Sequence, residues 1–138
     1  MASILPMPGF LLVSIGLAAL LIYLPFIVAG YGRFAVGYDK AAPRAMLPKL
    51  PPYAQRATWA HENAFESMIL YAPAALMAYV TQQQSALALG AAVVYLVART
   101  LYPLAYILNQ PWARSLMFAV ANLGTFTLYV LSCRAALM

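Results

Sequence analysis

Chemistry-bearing side chains are few in this chain and they are clustered. Its acids are Asp39, Glu62 and Glu66 alone. Two of them fall in the otherwise apolar stretch RATWAHENAFESMILYAP, residues 56–73, together with His61 and Asn63. Helical residues three or four apart share a face, so Asn63 and Glu62 both join Glu66, and Arg56 joins Asn63 from further back. A second stripe, Tyr95, Arg99, Tyr102 and Tyr106, advances by intervals of four, three and four. Arg114 and Ser115 follow at the start of the last apolar run. This set carries excess positive charge and many hydrogen-bonding groups, which suits a small anionic polar molecule. At a helix start, free N–H groups and the helix dipole add positive potential. A thiolate held there would be stabilised, raising the fraction of thiol that is nucleophilic at neutral pH.

The elements that must position these groups are membrane spans. With 65% hydrophobic and 8% charged residues, the 138-residue chain is too apolar for an ordinary soluble domain and reads as a small all-α polytopic membrane protein. A carboxylate at mid-helix depth costs about 2.5–3.5 kcal/mol on insertion scales, so such groups face a bundle interior and are paired or functional. The formal net charge of +5 does not make a nucleic-acid binder. Arg33, Lys40, Arg44, Lys49 and Arg56 gather in or beside one connection instead of forming a soluble basic face interleaved with stacking aromatics. The single cysteine, Cys133, excludes an internal disulfide and a cysteine-rich metal site. His61, without a second His or Cys nearby, is expected to be an interhelical hydrogen-bonder and not a metal ligand. MASILPMPGF lacks the basic start of a cleavable signal peptide and is read as leading into a retained first span.

Crossing about 30 Å of hydrocarbon takes about 20 mostly apolar residues. Four segments qualify, at about 9–30, 55–80, 85–108 and 112–134, giving one four-helix domain over residues 1–138 with a proline-rich, charged loop at 31–54. The short turn at 81–84 makes the second and third spans antiparallel neighbours. Pro73 and Pro103 predict kinks that open space at mid-membrane, and Asn122 is expected to tie helices together. The charged first loop, and Arg114 beside the third, place both connections in the cytoplasm and both termini on the opposite side. Counted at about 1.5 Å per residue, Glu66 and Arg99 then lie on the order of 13–15 Å inside the membrane. Equal depth predicts an Arg99–Glu66 ion pair as the structural floor of a cavity. Asn63, Tyr102 and Tyr106 stand above it, with Arg33, Arg56 and Arg114 around the rim.

At these residues the chain resembles the MAPEG family, the membrane-associated proteins of eicosanoid and glutathione metabolism. A-H-x-N-x-x-E appears as Ala60, His61, Asn63 and Glu66, preceded by Arg56. A-R-x-x-Y-x-x-x-Y appears as Ala98, Arg99, Tyr102 and Tyr106, followed by Arg114 and Ser115. The resemblance implies a homotrimer of four-helix protomers in which glutathione binds between subunits near the cytoplasmic face. By position, Arg56, Asn63, Glu66, Tyr102 and Tyr106 would hold glutathione, with Arg33 contributed by the adjoining subunit. Arg114 would stabilise the thiolate with help from Ser115, and a lipophilic electrophile or hydroperoxide would arrive from the membrane. The implied activity is a membrane-bound glutathione transferase or peroxidase. The alternative is a non-enzymatic, lipid-binding or scaffolding member of the same family. Three departures bear on that choice: Glu62 precedes the Asn, where its carboxylate would repel those of glutathione, Ala64 replaces a frequent acid, and Phe118 replaces an aromatic hydroxyl one turn after Arg114. A channel is disfavoured by the one short turn and the off-centre polar site. Short connections and the lack of a lysine-based retention tail point to a bacterial inner membrane.

Overall fold

The structure is a computed structural model and describes residues 7–138. Its regular elements are helices: α1 (Gly9–Leu21), α2 (Tyr23–Ala35), α3 (Pro52–Val80), α4 (Ala86–Ile107) and α5 (Pro111–Ala136), with a 3-10 turn at Pro43–Lys49. Their ends follow local chemistry. α3 and α5 begin with proline, whose missing N–H costs nothing in the first turn. That is why α3 starts a few residues before the expected boundary. Ser85 caps α4, its hydroxyl accepting from the Ala88 N–H at 3.1 Å. Gln82 and Asn109 take left-handed conformations (φ 53° and 56°), reversing the chain after α3 and α4.

α1 and α2 form one helical segment, Gly9–Ala35, interrupted at Ile22. Pro25 explains the interruption, because it has no N–H to offer the Leu21 carbonyl and its ring crowds that group. The neighbouring Ile22 carbonyl accepts a hydrogen bond from His61 Nδ1 at 2.8 Å. A carbonyl only accepts, so Nδ1 carries the proton. His61 thereby makes the interhelical hydrogen bond expected of it and pins α3 to the break. α3 and α4 continue through Pro73 and Pro103 without interruption.

Gly9–Ala35, Ala86–Ile107 and Pro111–Ala136 are each long and apolar enough to cross a membrane. α3, the fourth expected span, is long enough at 29 residues but is not among them. Arg56, His61, Glu62, Asn63 and Glu66 on its first half dilute its apolar character. It is nevertheless the hub, packing against each of the other four helices. The protein is thus an all-helical, multi-pass membrane protein with its most polar helix at the centre of the packing.

Close approach is secured by small side chains. Ala54, Ala57, Ala60, Ala74, Ala75, Ala78, Ala88 and Ala92 are fully or almost fully buried, as expected where helices associate in lipid through backbone proximity. A Cβ at Gly124 would come within 2.6 Å of the Ala91 carbonyl oxygen, and one at Gly32 would run into the Ala54 methyl. Ile27, Ile69, Val80 and Leu123 turn outward instead. The middle of the core holds a parallel stack of Tyr71 on Tyr95, with centroids 3.5 Å apart and planes 3° off parallel. Ser14 meets the Tyr71 hydroxyl at 2.6 Å and Ser67 meets that of Tyr95 at 3.0 Å.

Candidate functional site

Asn63 organises the polar end of the bundle. Its Oδ1 accepts from Arg99 Nη1 at 3.0 Å, and its Nδ2 donates to Glu66 Oε2 at 3.1 Å. The expected Arg99–Glu66 ion pair is therefore not a direct contact, because the Asn63 amide stands between the two charges. An amide can accept from a guanidinium through its oxygen and donate to a carboxylate through its nitrogen at once. The relay is the economical solution for Arg99, which is 5% exposed and would be costly with no acceptor.

From Arg99 a ladder of cations and rings runs outward. The Arg99 guanidinium lies 4.5 Å from the Tyr102 ring centre, Tyr102 meets Tyr106 edge to face at 5.7 Å, and the Arg114 guanidinium lies 4.6 Å from the Tyr106 ring. Each cation faces the negative face of a ring, an attraction that strengthens as water is removed. Tyr95 belongs to the same sequence stripe but not to the ladder, since its ring is stacked on Tyr71 and its hydroxyl is taken by Ser67. The stripe divides after its first member.

A cavity of about 290 Å³ opens beside the ladder, lined by Asn63, Tyr102, Tyr106, Arg114, Ser115 and Phe118. Three helices supply it: α3 the amide, α4 the phenols, and α5 the guanidinium, hydroxyl and apolar wall. The first turn of α5 contributes less backbone than expected, because the Arg114 N–H is already bonded to the Gln110 carbonyl at 3.0 Å. Its offering to an anion is the side chain. Arg56 sits just outside, its Nε donating to the Ile107 carbonyl at 3.0 Å near the end of α4. It lines a small adjoining cavity, about 30 Å³, with Tyr106 and Arg114. Glu66 reaches the site through Asn63.

Two residues fall elsewhere. Arg33 and Glu62 line a separate cavity between α2, the 3-10 turn and α3, so within one chain Glu62 does not face the Asn63–Arg114 pocket. For Glu62 the cue in the sequence is its position: it precedes Asn63 by one residue, about 100° around α3, and so points to another side of that helix. Asn122 bonds within its own helix, Nδ2 to the Phe118 carbonyl at 3.1 Å, and among the described residues it ties no second helix. Among the described residues, no group of three or more His, Cys, Asp and Glu side chains could hold a metal ion.

Together the helices and this pocket define a multi-pass membrane protein with a cationic, phenol-lined site built from three helices. A family model extends the description to nearly the whole chain. The MAPEG family model matches residues 10–134, and the protein belongs to that family of membrane proteins in eicosanoid and glutathione metabolism. No curated protein and no solved structure matches the chain.

Proposed function

We propose that the protein is an integral-membrane glutathione-dependent transferase or peroxidase acting on lipophilic electrophiles. The observation that carries this reading is the Arg114 guanidinium poised against the Tyr106 ring at the mouth of a cavity that also holds Asn63, Tyr102 and Ser115. The residues suit glutathione. Arg114 and the phenols of Tyr102 and Tyr106 offer donors for carboxylate and sulfur, Asn63 offers both an acceptor and a donor, and Glu66 offers a carboxylate for the ammonium group. Glutathione would supply the thiol, which loses its proton and displaces a leaving group such as halide from an electrophilic carbon, or, as two molecules oxidised to the disulfide, reduces a hydroperoxide to alcohol and water. Arg114 holds negative charge at the sulfur position, Ser115 donates beside it, and Arg56 keeps the end of α4, with Tyr106, in register. Phe118 gives the electrophile an apolar surface. Arg33, which within one chain opens on the other cavity, is proposed to reach the site of the neighbouring copy.

The cavity of about 290 Å³ is at the small end of ligand clefts, which run from about 300 to 1,000 Å³. A neighbouring copy closing its open side would complete it, and the family resemblance carries the homotrimer part of the reading. α3 is proposed as a fourth span, its polar half shielded by its contacts with the other helices. The test is a titration of the detergent-purified protein with glutathione, following thiolate absorbance and conjugation to an aryl halide. Saturable thiolate formation by the wild type, absent from Arg114→Ala, is the expected result. A wild type that neither binds glutathione nor forms thiolate defeats the proposal, and a co-purifying lipid in that same pocket would favour the non-enzymatic alternative.

A further inference from the structure

A proline inside a helix leaves the carbonyl four residues earlier without its usual N–H donor. Pro25 does this to Leu21 and Pro103 does it to Arg99, on different helices, yet all four residues line one cavity of about 10 Å³ between α1, α2, α3 and α4. Ala60 and Ala64 line it from α3 with nothing larger than a methyl group. Elsewhere in the bundle, carbonyls beside such breaks are met by side chains. His61 serves the Ile22 carbonyl at 2.8 Å, and near Pro73 the Tyr129 hydroxyl donates to the Leu70 carbonyl, also at 2.8 Å. Among the described residues no side chain donates to the Leu21 or the Arg99 carbonyl, and the adjacent Thr100 hydroxyl bonds back to Leu96 at 2.8 Å. Arg99 also brings donors. Its guanidinium has five N–H groups, and among the described residues the bond from Nη1 to Asn63 is the one hydrogen bond it makes. At 5% exposure it has little access to bulk water.

Whatever fills this cavity has to satisfy acceptors and donors at once. A cation would suit the two carbonyls but face the Arg99 charge, and an anion would suit the guanidinium but face the carbonyl oxygens. A small neutral molecule that both donates and accepts matches the lining, and about 10–15 Å³ is the least space that holds one water. We propose that the cavity binds a single structural water, which donates to the Leu21 and Arg99 carbonyls and accepts from the Arg99 guanidinium. Ordered waters are one means by which proline is accommodated in membrane-spanning helices, and a buried water with about three polar partners is costly to remove. The water has two effects here. It replaces the hydrogen bond that Pro103 withholds, which lets α4 continue through the proline. It also ties the α1–α2 break to Arg99, and through Arg99 to Asn63 at the floor of the other pocket. Because His61 holds the same break from α3, the joint is pinned from two helices.

Two measurements on the full-length protein in detergent test this. A crystal structure fine enough to show ordered water is expected to place one water within hydrogen-bond reach, about 2.5–3.0 Å, of both carbonyl oxygens. Radiolytic footprinting reads the same water in solution, because hydroxyl radicals made from a bound water oxidise the side chain beside it. Tyr95 lines the cavity and is 2% exposed, so it is expected to take up label that bulk water could not deliver. The double change Pro25→Ala with Pro103→Ala returns an N–H to each carbonyl and favours the helix, so the water density and the Tyr95 label are expected to be lost together. Pro73→Ala, outside the cavity lining, is expected to leave both in place. A wild-type cavity without that density, or a Tyr95 that stays unlabelled, overturns the proposal, as does persistence of either signal in the double variant. Wild type alone decides the first measurement, whatever the variants do. Neither readout involves a thiol, so both stand apart from the chemistry proposed at Arg114.

Discussion

Two tyrosine pairs within the same bundle show how one residue type is put to different ends. Tyr71 and Tyr95 are fully buried or nearly so, stacked in parallel, and each hydroxyl is taken by a serine. Tyr102 and Tyr106 meet edge to face, have an arginine on one ring each, and line a cavity. Among the described residues, Ser14 and Ser67 have no counterparts at the second pair. A phenol saturated by a neighbour is structural, whereas one left open toward a cavity is available to a ligand. The difference lies in the neighbours, since both pairs draw on α4.

The comparison predicts that changes at the first pair cost stability and changes at the second cost activity. Tyr71→Ala should be the most damaging, at about 3–5 kcal/mol of unfolding free energy for loss of a large buried aromatic. Denaturant unfolding in detergent measures it, and a loss under 1 kcal/mol would show that the stack is not the packing centre. Arg114→Ala should lower kcat/KM for thiol conjugation by about 100-fold while leaving the unfolding transition in place, the scale seen when one group stabilising reactive charge is removed. An equal shift in stability would move Arg114 into the structural class.

Asn63→Leu keeps approximate size but leaves buried Arg99 without its acceptor, so it should cost about 1–3 kcal/mol of stability and weaken glutathione binding as well. Among these changes it alone should register in both assays. If stability is unchanged, the Arg99–Asn63–Glu66 relay is not holding the floor of the site. Ser14→Ala, the mildest, should cost about 0.6 kcal/mol, the average for an interhelical hydrogen bond in a membrane bundle, with catalysis intact. A large activity loss there would erase the distinction between the pairs.

Much of this was legible before any coordinates. The apolar runs marked the helical segments, because a bilayer imposes length and hydropathy on whatever crosses it. The three- and four-residue spacings put Asn63 with Glu66, and Tyr102 with Tyr106, because helical geometry leaves no alternative once the helix is granted. The break before Pro25 is of the same local kind, since a proline lacks an N–H whatever surrounds it. Less legible was any feature involving a choice between partners on different helices. Arg99 and Glu66 could be matched in depth, but whether they met directly depended on the rotation of α3 and α4 about their axes. That rotation put Asn63 between them.

Residue type, spacing and apolarity, all carried by the chain itself, determined that this is a helical membrane protein with polar groups concentrated on the first half of α3. Helix rotation and packing decided the rest: which tyrosines are saturated, that Glu62 opens on a different cavity from Asn63, and that Arg56 Nε donates to the carbonyl of Ile107. The physical reason is one of range. Helical periodicity is local and repeats whatever surrounds it, while a hydrogen bond between helices depends on angstrom-scale offsets that the sum of all the packing contacts determines together.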